Sequence, residues 1–321
     1  MISVSNYSAV EINGGQMAGV QAEEALFIKL GRAGEWEKGC LADGTIRFGY
    51  RETPHDLCVA GDWEAVQRFW TERRGNSGTA SNDVRQIRSF YESEASTIFV
   101  TFFGGLLYWC RPTGPVEVLE DRSRLRRAVD GWHSQSVNGA KLTTDRLSGQ
   151  LLKVQMFRGT ICKVEPMDYL LRKLNDELTP EVAAAEEAEA AIIGAIMAMM
   201  RLLTWQDFEL LVDLVFSASG WRRVGAVGRT QKTVDLELLL PSTGERAFVQ
   251  VKALATPAAF DDYRERHADA AEAYEKMFFV WHSGSIGRQR EAANVVAIGP
   301  ERMAQMVLDA GLFNWLKDKV S

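Results

Sequence analysis

The sequence predicts two modules of different fold class, a β-rich α+β module over residues 1–165 and an α/β module over 204–321, joined by a helical connector over 166–203. Three observations carry this division. Short runs dense in β-branched and aromatic residues, separated by glycine turns, fill the first half. From Trp205 onward a helical stripe is followed by strands in the order αβββαβ, which predicts an α/β sandwich. Between them, Thr179-Pro180-Glu181 reads as a helix start, with Thr as N-cap, Pro at the first helical position and an acidic first turn.

In the first module the runs 26–30, 45–50, 97–103, 106–110 and 154–164 read as strands. Turns are expected at Ala42-Asp43-Gly44, Gly104-Gly105 and Thr113-Gly114-Pro115. A helix over 61–73 sets Trp63, Val66, Phe69 and Trp70 on one stripe. Several short strands with a helix or two predict a small, partly closed barrel. The connector is rich in Ala, Glu and Met, good helix formers, polar at first and apolar later. It is expected to start exposed and to end packed on the second module.

In the second module a helix over 204–218 precedes strands at 224–227, 233–240 and 247–253. A helix over 257–274, strands at 277–281 and 295–298 and a last helix from Pro300 complete it.

Hydrophobic residues make up 46% of the 321 and charged residues 25%, which excludes wholesale disorder. The longest strongly apolar segment, 190–203, is too short to span a bilayer, and residues 1–16 lack the pattern of a secretory signal, so a cytoplasmic protein is expected. Cys40, Cys58, Cys110 and Cys162 are scattered without a CxxC pair, which argues against a zinc knuckle or a disulfide framework. The net charge of −6 is local: Asp176, Glu177, Glu181, Glu186, Glu187 and Glu189 equal the whole excess. Both flanking modules are close to neutral, so the acidic total says little against nucleic-acid binding.

The chemistry concentrates in the second module. Period-2 alternation puts Asp235 and Glu237 on one face of their strand, and Gln250 and Lys252 on one face of the next. The short turn from Pro241 to Glu245 predicts an antiparallel hairpin, which converges Asp235, Gln250 and Lys252 at one end of the sheet. Glu209, at the edge of the helical stripe, is able to point at the same place. A carboxylate, an amide oxygen and a lysine gathered in this way suit phosphodiester hydrolysis. Hard oxygen ligands hold Mg²⁺, the metal lowers the pKa of a water, and the lysine positions the water or balances charge on the phosphate.

The order Glu209, Asp235, Gln250-x-Lys252 on helix, strand and hairpin resembles the PD-(D/E)XK nuclease superfamily. Trp205-Gln-Asp-Phe-Glu209-Leu-Leu-Val, Gly220-Trp221, Val234-Asp235-Leu and Val249-Gln-Val-Lys252-Ala are similar to its Mrr-like restriction-endonuclease branch, over roughly 202–312. That branch commonly carries Gln where the superfamily motif has Glu. The resemblance implies a restriction-endonuclease-like αβββαβ core and Mg²⁺-dependent DNA cleavage, with Mn²⁺ able to substitute. In it Asp235 and Gln250 are metal ligands, Lys252 is the catalytic lysine and Glu209 the helix acid. Glu237 is either a further ligand or a solvent-facing edge residue.

A metal site of this kind reads no sequence, so the first module is expected to target it. Trp36, in Glu35-Trp-Glu-Lys-Gly39 before a strand, and Trp132 with His133, in a loop, are candidates to stack a flipped, modified base. Arg122, Arg124, Arg126 and Arg127 form a basic cluster suited to phosphates, with an ordinary solvated face as the alternative. The size and β-rich pattern of this module resemble PUA-like folds, which include the EVE-type modified-base readers. Together the resemblances imply a type IV-like restriction enzyme, acting on modified double-stranded DNA as a homodimer. Two other readings stay open: a nuclease gated by a small nucleotide or RNA signal, and a non-catalytic DNA-binding protein on a nuclease fold.

Overall fold

The computed structural model describes residues 19–224, 235–287 and 294–321. The expected strand at 224–227 lies, beyond its first residue, outside the described residues, as do residues 1–16. The chain divides into two units, Met1–Leu178 and Thr179–Ser321.

In the first unit, hydrophobic and β-branched runs build β1 (Glu24–Ile28), β2 (Thr45–Phe48), β3 (Thr97–Phe103), β4 (Leu106–Val118), β5 (Arg124–His133) and β6 (Ile161–Lys163). The helices are α1 (Glu37–Asp43), α2 (His55–Val59), α3 (Trp63–Arg74), α4 (Ser77–Glu92), α5 (Gly149–Leu152) and α6 (Met167–Asn175). The strands form one mixed sheet in the order β2-β5-β4-β3-β1-β6, curled into a half-barrel. The strands expected to make a small, partly closed barrel form this curled half-barrel, with β1 parallel to β3 and the other pairs antiparallel.

Two of the three expected turns behave as glycine chemistry dictates. Gly104 and Gly105, with φ of 57° and 78°, close the β3–β4 hairpin, the conformation a tight two-residue turn of this hand requires. Gly44, left-handed at φ 63°, ends α1 before β2. Thr113-Gly114-Pro115 is not a turn: it lies inside β4, where the register against β5 shifts, so the glycine serves a bulge. Helices cover both faces of the sheet. Leu26, Ile28, Phe48 and Phe99 pack with Trp70 and Phe90 from α3 and α4, while Phe27, Ile98 and Val100 pack with Leu170 and Leu174 of α6. The stretch 166–203 is therefore not one connector, since α6 is core of the first unit.

The second unit opens with α7 (Pro180–Met200), capped by the Thr179 hydroxyl, which accepts from Val182 N. Its acidic first half is exposed, and Ile196 and Met200 are buried. There follow α8 (Trp205–Ala218), β7 (Arg222–Arg223), β8 (Leu236–Leu240), β9 (Glu245–Ala255), α9 (Pro257–Asp269), β10 (Lys276–Gly284), β11 (Val295–Ile298), α10 (Pro300–Asp309) and α11 (Phe313–Val320). The sheet order is β11-β10-β9-β8-β7, antiparallel from β7 to β9 and parallel from β9 to β11. Leu236, Leu238, Val249 and Val251 pack against α7, α8 and α10. Phe248, Phe279 and Trp281 pack with Phe260 of α9. The described elements run in the αβββαβ order read from the sequence, with β7 at Arg222–Arg223 standing first rather than a strand at 224–227, and both sheet faces are covered. No helix among the described residues is long and apolar enough to cross a membrane.

Candidate active site

The site begins with a firmly held helix start. The Thr204 hydroxyl accepts from Asp207 N (3.2 Å) and donates to Asp207 Oδ2 (2.8 Å), and Lys319 of α11 pairs with Asp207 at 3.0 Å. Phe208, Leu211, Val212 and Val215 bury one stripe of α8. Burial of Phe208 turns its neighbour Glu209 into a cavity of about 340 Å³ that Asp235 and Lys252 also line.

Asp235 sits at the mouth of β8, held by the hairpin register that sets Leu236 opposite Val249. Its N–H donates to Val249 O (3.2 Å). Its Oδ2 accepts from Val251 N (2.7 Å) and from Gln250 Nε2. Burial pushes its pKa up, against the Val251 N–H, the Lys252 charge and the Gln250 amide, which favour the carboxylate. Burial also raises Glu209, followed by the charge of Asp235, while Arg223 and Lys252 oppose the rise. The Lys252 ammonium lies 5.1 Å from the centroid of the Tyr263 ring on α9.

Gln250 is 2% exposed, and its Oε1 is buried with no hydrogen-bond partner among the described residues. An orphaned amide oxygen costs about 1–3 kcal/mol, so it needs a reason. A cation supplies one. Oε1 and Nε2 are nearly interchangeable in shape, and turning the amide over would present both Oε1 and the Asp235 carboxylate to one ion. The described residues contain no group of three or more His, Cys, Asp and Glu side chains arranged for a metal. The donors here are one carboxylate and one amide, hard oxygens that suit Mg²⁺ or Mn²⁺ with several waters retained.

Glu237, left open between ligand and edge residue, does not line the cavity, and its carboxylate, after burial, helps to push the Tyr274 hydroxyl pKa up. Trp205 corrects the sequence reading in the other direction. Expected in the apolar stripe, it is 61% exposed and lines the cavity, because the first turn of α8 emerges from the core. Neither Trp205 as a surface residue nor Tyr263 had a signal in the sequence pattern.

In the first unit the candidates separate. Arg124 and Arg126 are 2% and 7% exposed, not a solvated cluster. Arg124 donates to Thr53 O, Arg122 O and the Tyr91 hydroxyl. Arg126 Nη1 donates to Ser93 O and Oγ, both at 2.6 Å, and Nη2 to Gly114 O at 3.1 Å. Strand alternation sends both guanidiniums inward to satisfy buried carbonyls, so neither contacts a phosphate from this position. Arg127 alternates outward and is exposed. Trp132 and His133 belong to β5 rather than to a loop. Trp132 Nε1 donates to Thr45 O (2.8 Å), and the His133 ring lies 4.9 Å from that of Trp109. Trp132 and Arg127 share a shallow cavity, while Trp36 lines a different one of about 910 Å³ together with Tyr50, Trp70, Arg32 and Arg158. Sequence reasoning named none of those last four as binding residues.

No protein-family model matches the chain, and neither a curated protein nor a solved structure shows significant similarity to it, so the functional reading rests on the site itself.

Proposed function

We propose that the chain is a Mg²⁺-dependent DNA endonuclease of the PD-(D/E)XK type, with its catalytic site in the second unit and a targeting, PUA-like reader of modified bases in the first. One observation carries the reading: Glu209, Asp235 and Lys252 line one cavity, and behind them Gln250 holds an amide oxygen without a donor. A half-buried carboxylate beside a fully buried amide oxygen without a donor is costly to keep unless something positive joins them.

Asp235 and Gln250 would hold the metal, which when bound lowers the pKa of a water and neutralises charge on the scissile phosphate. Lys252, its direction set by the Tyr263 ring, donates to a phosphoryl oxygen as negative charge grows there. Glu209, held toward its protonated form by burial, is the stronger base for it and takes the proton of the attacking water. The phosphorus–oxygen bond of the leaving nucleotide breaks as the new one forms. One such site cuts one strand, so a homodimer is the natural unit for cutting both.

Two expected results arise here. Glu209 acts as a carboxylate whose pKa is raised, so cleavage falls as pH drops through that raised value. Glu209→Gln should lower the rate by roughly 10- to 100-fold and leave a residual acid limb at lower pH in a pH–rate profile. A limb unmoved by the substitution would remove Glu209 from the mechanism. Trp205 is exposed, so Trp205→Ala should leave the melting temperature within about 1 °C, as for surface substitutions. It should weaken DNA binding by roughly tenfold through loss of a stacking surface; unchanged affinity would make the ring incidental.

The reading as a whole is tested by incubating the full chain and Mg²⁺ with matched duplexes that are unmodified or carry 5-methylcytosine, 5-hydroxymethylcytosine or N6-methyladenine. Cleavage confined to one modified duplex supports both halves. Equal cleavage of all keeps the nuclease and discards the reader. Tight binding with no cleavage of any duplex favours a non-catalytic protein.

A further inference from the structure

The larger cavity of the first unit, about 910 Å³, is built from the end of β1 and the loop after it, the end of β2, the last turn of α3 and the loop before β6. Its wall is unlike the rest of this acidic chain: Lys29, Arg32, Arg51, Arg73, Arg74 and Arg158 stand there against only Glu35 and Glu52. Four of these cations are engaged. Lys29 donates to Phe157 O, Arg51 pairs with Asp121, Arg73 with Glu52 and Arg74 with Asp83. Arg32 and Arg158 are exposed, and neither guanidinium has a partner among the described residues.

The same wall is aromatic. Trp36 carries the Arg47 guanidinium 4.3 Å from its ring centroid, with that of Arg51 at 5.8 Å, which orients the ring. Tyr50 is tied through its hydroxyl to Asp83 at 2.8 Å and meets Trp70 edge-on at 5.4 Å. Trp70 is 5% exposed, and its indole N–H is buried without an acceptor among the described residues.

The backbone is held in place for this shape. Tyr50 and Ala33 both adopt left-handed φ, 49° and 54°, which non-glycine residues rarely sustain and which costs about 1–3 kcal/mol each. At Gly31, φ 88°, a Cβ would sit 2.6 Å from Glu35 Cγ and 3.0 Å from the Trp36 ring, so only glycine lets Trp36 fold back over the loop. Opposite, Gln86 Oε1 accepts from Thr160 N (2.6 Å) and Ile161 N (3.0 Å) and pins the loop that carries Arg158.

The geometry points to this cavity as a nucleotide-binding site, in which the base lies among Trp36, Tyr50 and Trp70 and the phosphate is taken by Arg32 and Arg158. Aromatic walls ask for a planar ring, and unpaired guanidiniums ask for a phosphate. The volume suits a ligand of nucleotide size. The nucleotide comes either from a DNA strand, as a flipped base with its flanking phosphate, or from solution as a free signal. The assignment extends the targeting role proposed for the first unit. Its test reads binding, so its failure is separable from failure of the cleavage reading at Lys252.

Calorimetric titration of the full chain decides it. The probes are dAMP, dCMP, dGMP, dTMP and 5-methyl-dCMP, each against its nucleoside, and a duplex with and without 5-methylcytosine. The variants are Arg32→Ala combined with Arg158→Ala, Trp36→Ala, and the exposed Arg146→Ala as a control outside the cavity. At least one nucleotide or the modified duplex should bind, with the double variant weaker by tenfold or more at an unchanged melting temperature and Arg146→Ala unaltered. Binding of a free nucleotide, with its nucleoside at least tenfold weaker, assigns a solution signal. Binding confined to the duplex, with the same sensitivity to the double variant, assigns a base within a strand. The assignment is overturned if neither source responds to the double variant, or if nucleosides bind as well as nucleotides.

Discussion

Asp235→Asn is expected to lower cleavage by at least about 100-fold while raising the melting temperature at neutral pH. On the proposed reading, loss of activity follows from losing the charge that shares a cavity with Glu209 and Lys252. The gain in stability follows from the direction of the pKa shift. Burial lifts Asp235 above its ordinary value in the folded chain. Its contribution to stability is therefore present at low pH and lost as pH rises through the raised value, above which the ionised carboxylate is a net cost. Removing the charge removes that cost, while the neutral side-chain oxygen can still accept from Val251 N. A melting profile across pH reads this: the variant should gain on the wild type as pH rises from acid to neutral. A residue held in place for structure alone would show the opposite, with the variant less stable at every pH.

Arg126→Ala is expected to produce the largest loss of stability in the first unit, about 3 kcal/mol or more, since it strips the donor from buried acceptors at Ser93 and Phe90. For a unit of this size that is a fall of roughly 6–12 °C in melting temperature. Arg127→Ala, one residue on and exposed, should change stability by less than about 0.5 kcal/mol. Equal, small effects at the two positions would mean that Arg126 is not structural.

These two arginines show where a sequence stops being legible. Four arginines within six residues look like a basic face, and nothing in the pattern says that Arg124 and Arg126 turn inward while Arg127 turns out. Buried arginines obey the needs of carbonyls that come from α4, a long helix that the reading did not place, and from a bulge read as a turn. The second unit was far more legible, because its hairpin is local: the turn after Leu240 sets the register, and the register sets Asp235 beside Gln250. Trp205 failed for a different reason. Helical spacing assigns a residue to a stripe, but only the packing of α8 decides where that stripe leaves the core. The cavity at Trp36 was legible in one residue alone, since Arg32, Tyr50, Trp70 and Arg158 reach it from four separate segments.

The most direct measurement of the central claim is the rate of plasmid cleavage in Mg²⁺, on DNA with and without 5-methylcytosine, by the full chain and by Lys252→Ala. The site described here predicts cleavage by the wild-type chain that is abolished by chelation and falls by at least about 100-fold in the variant, with DNA affinity kept. Equal rates for the two proteins would contradict it.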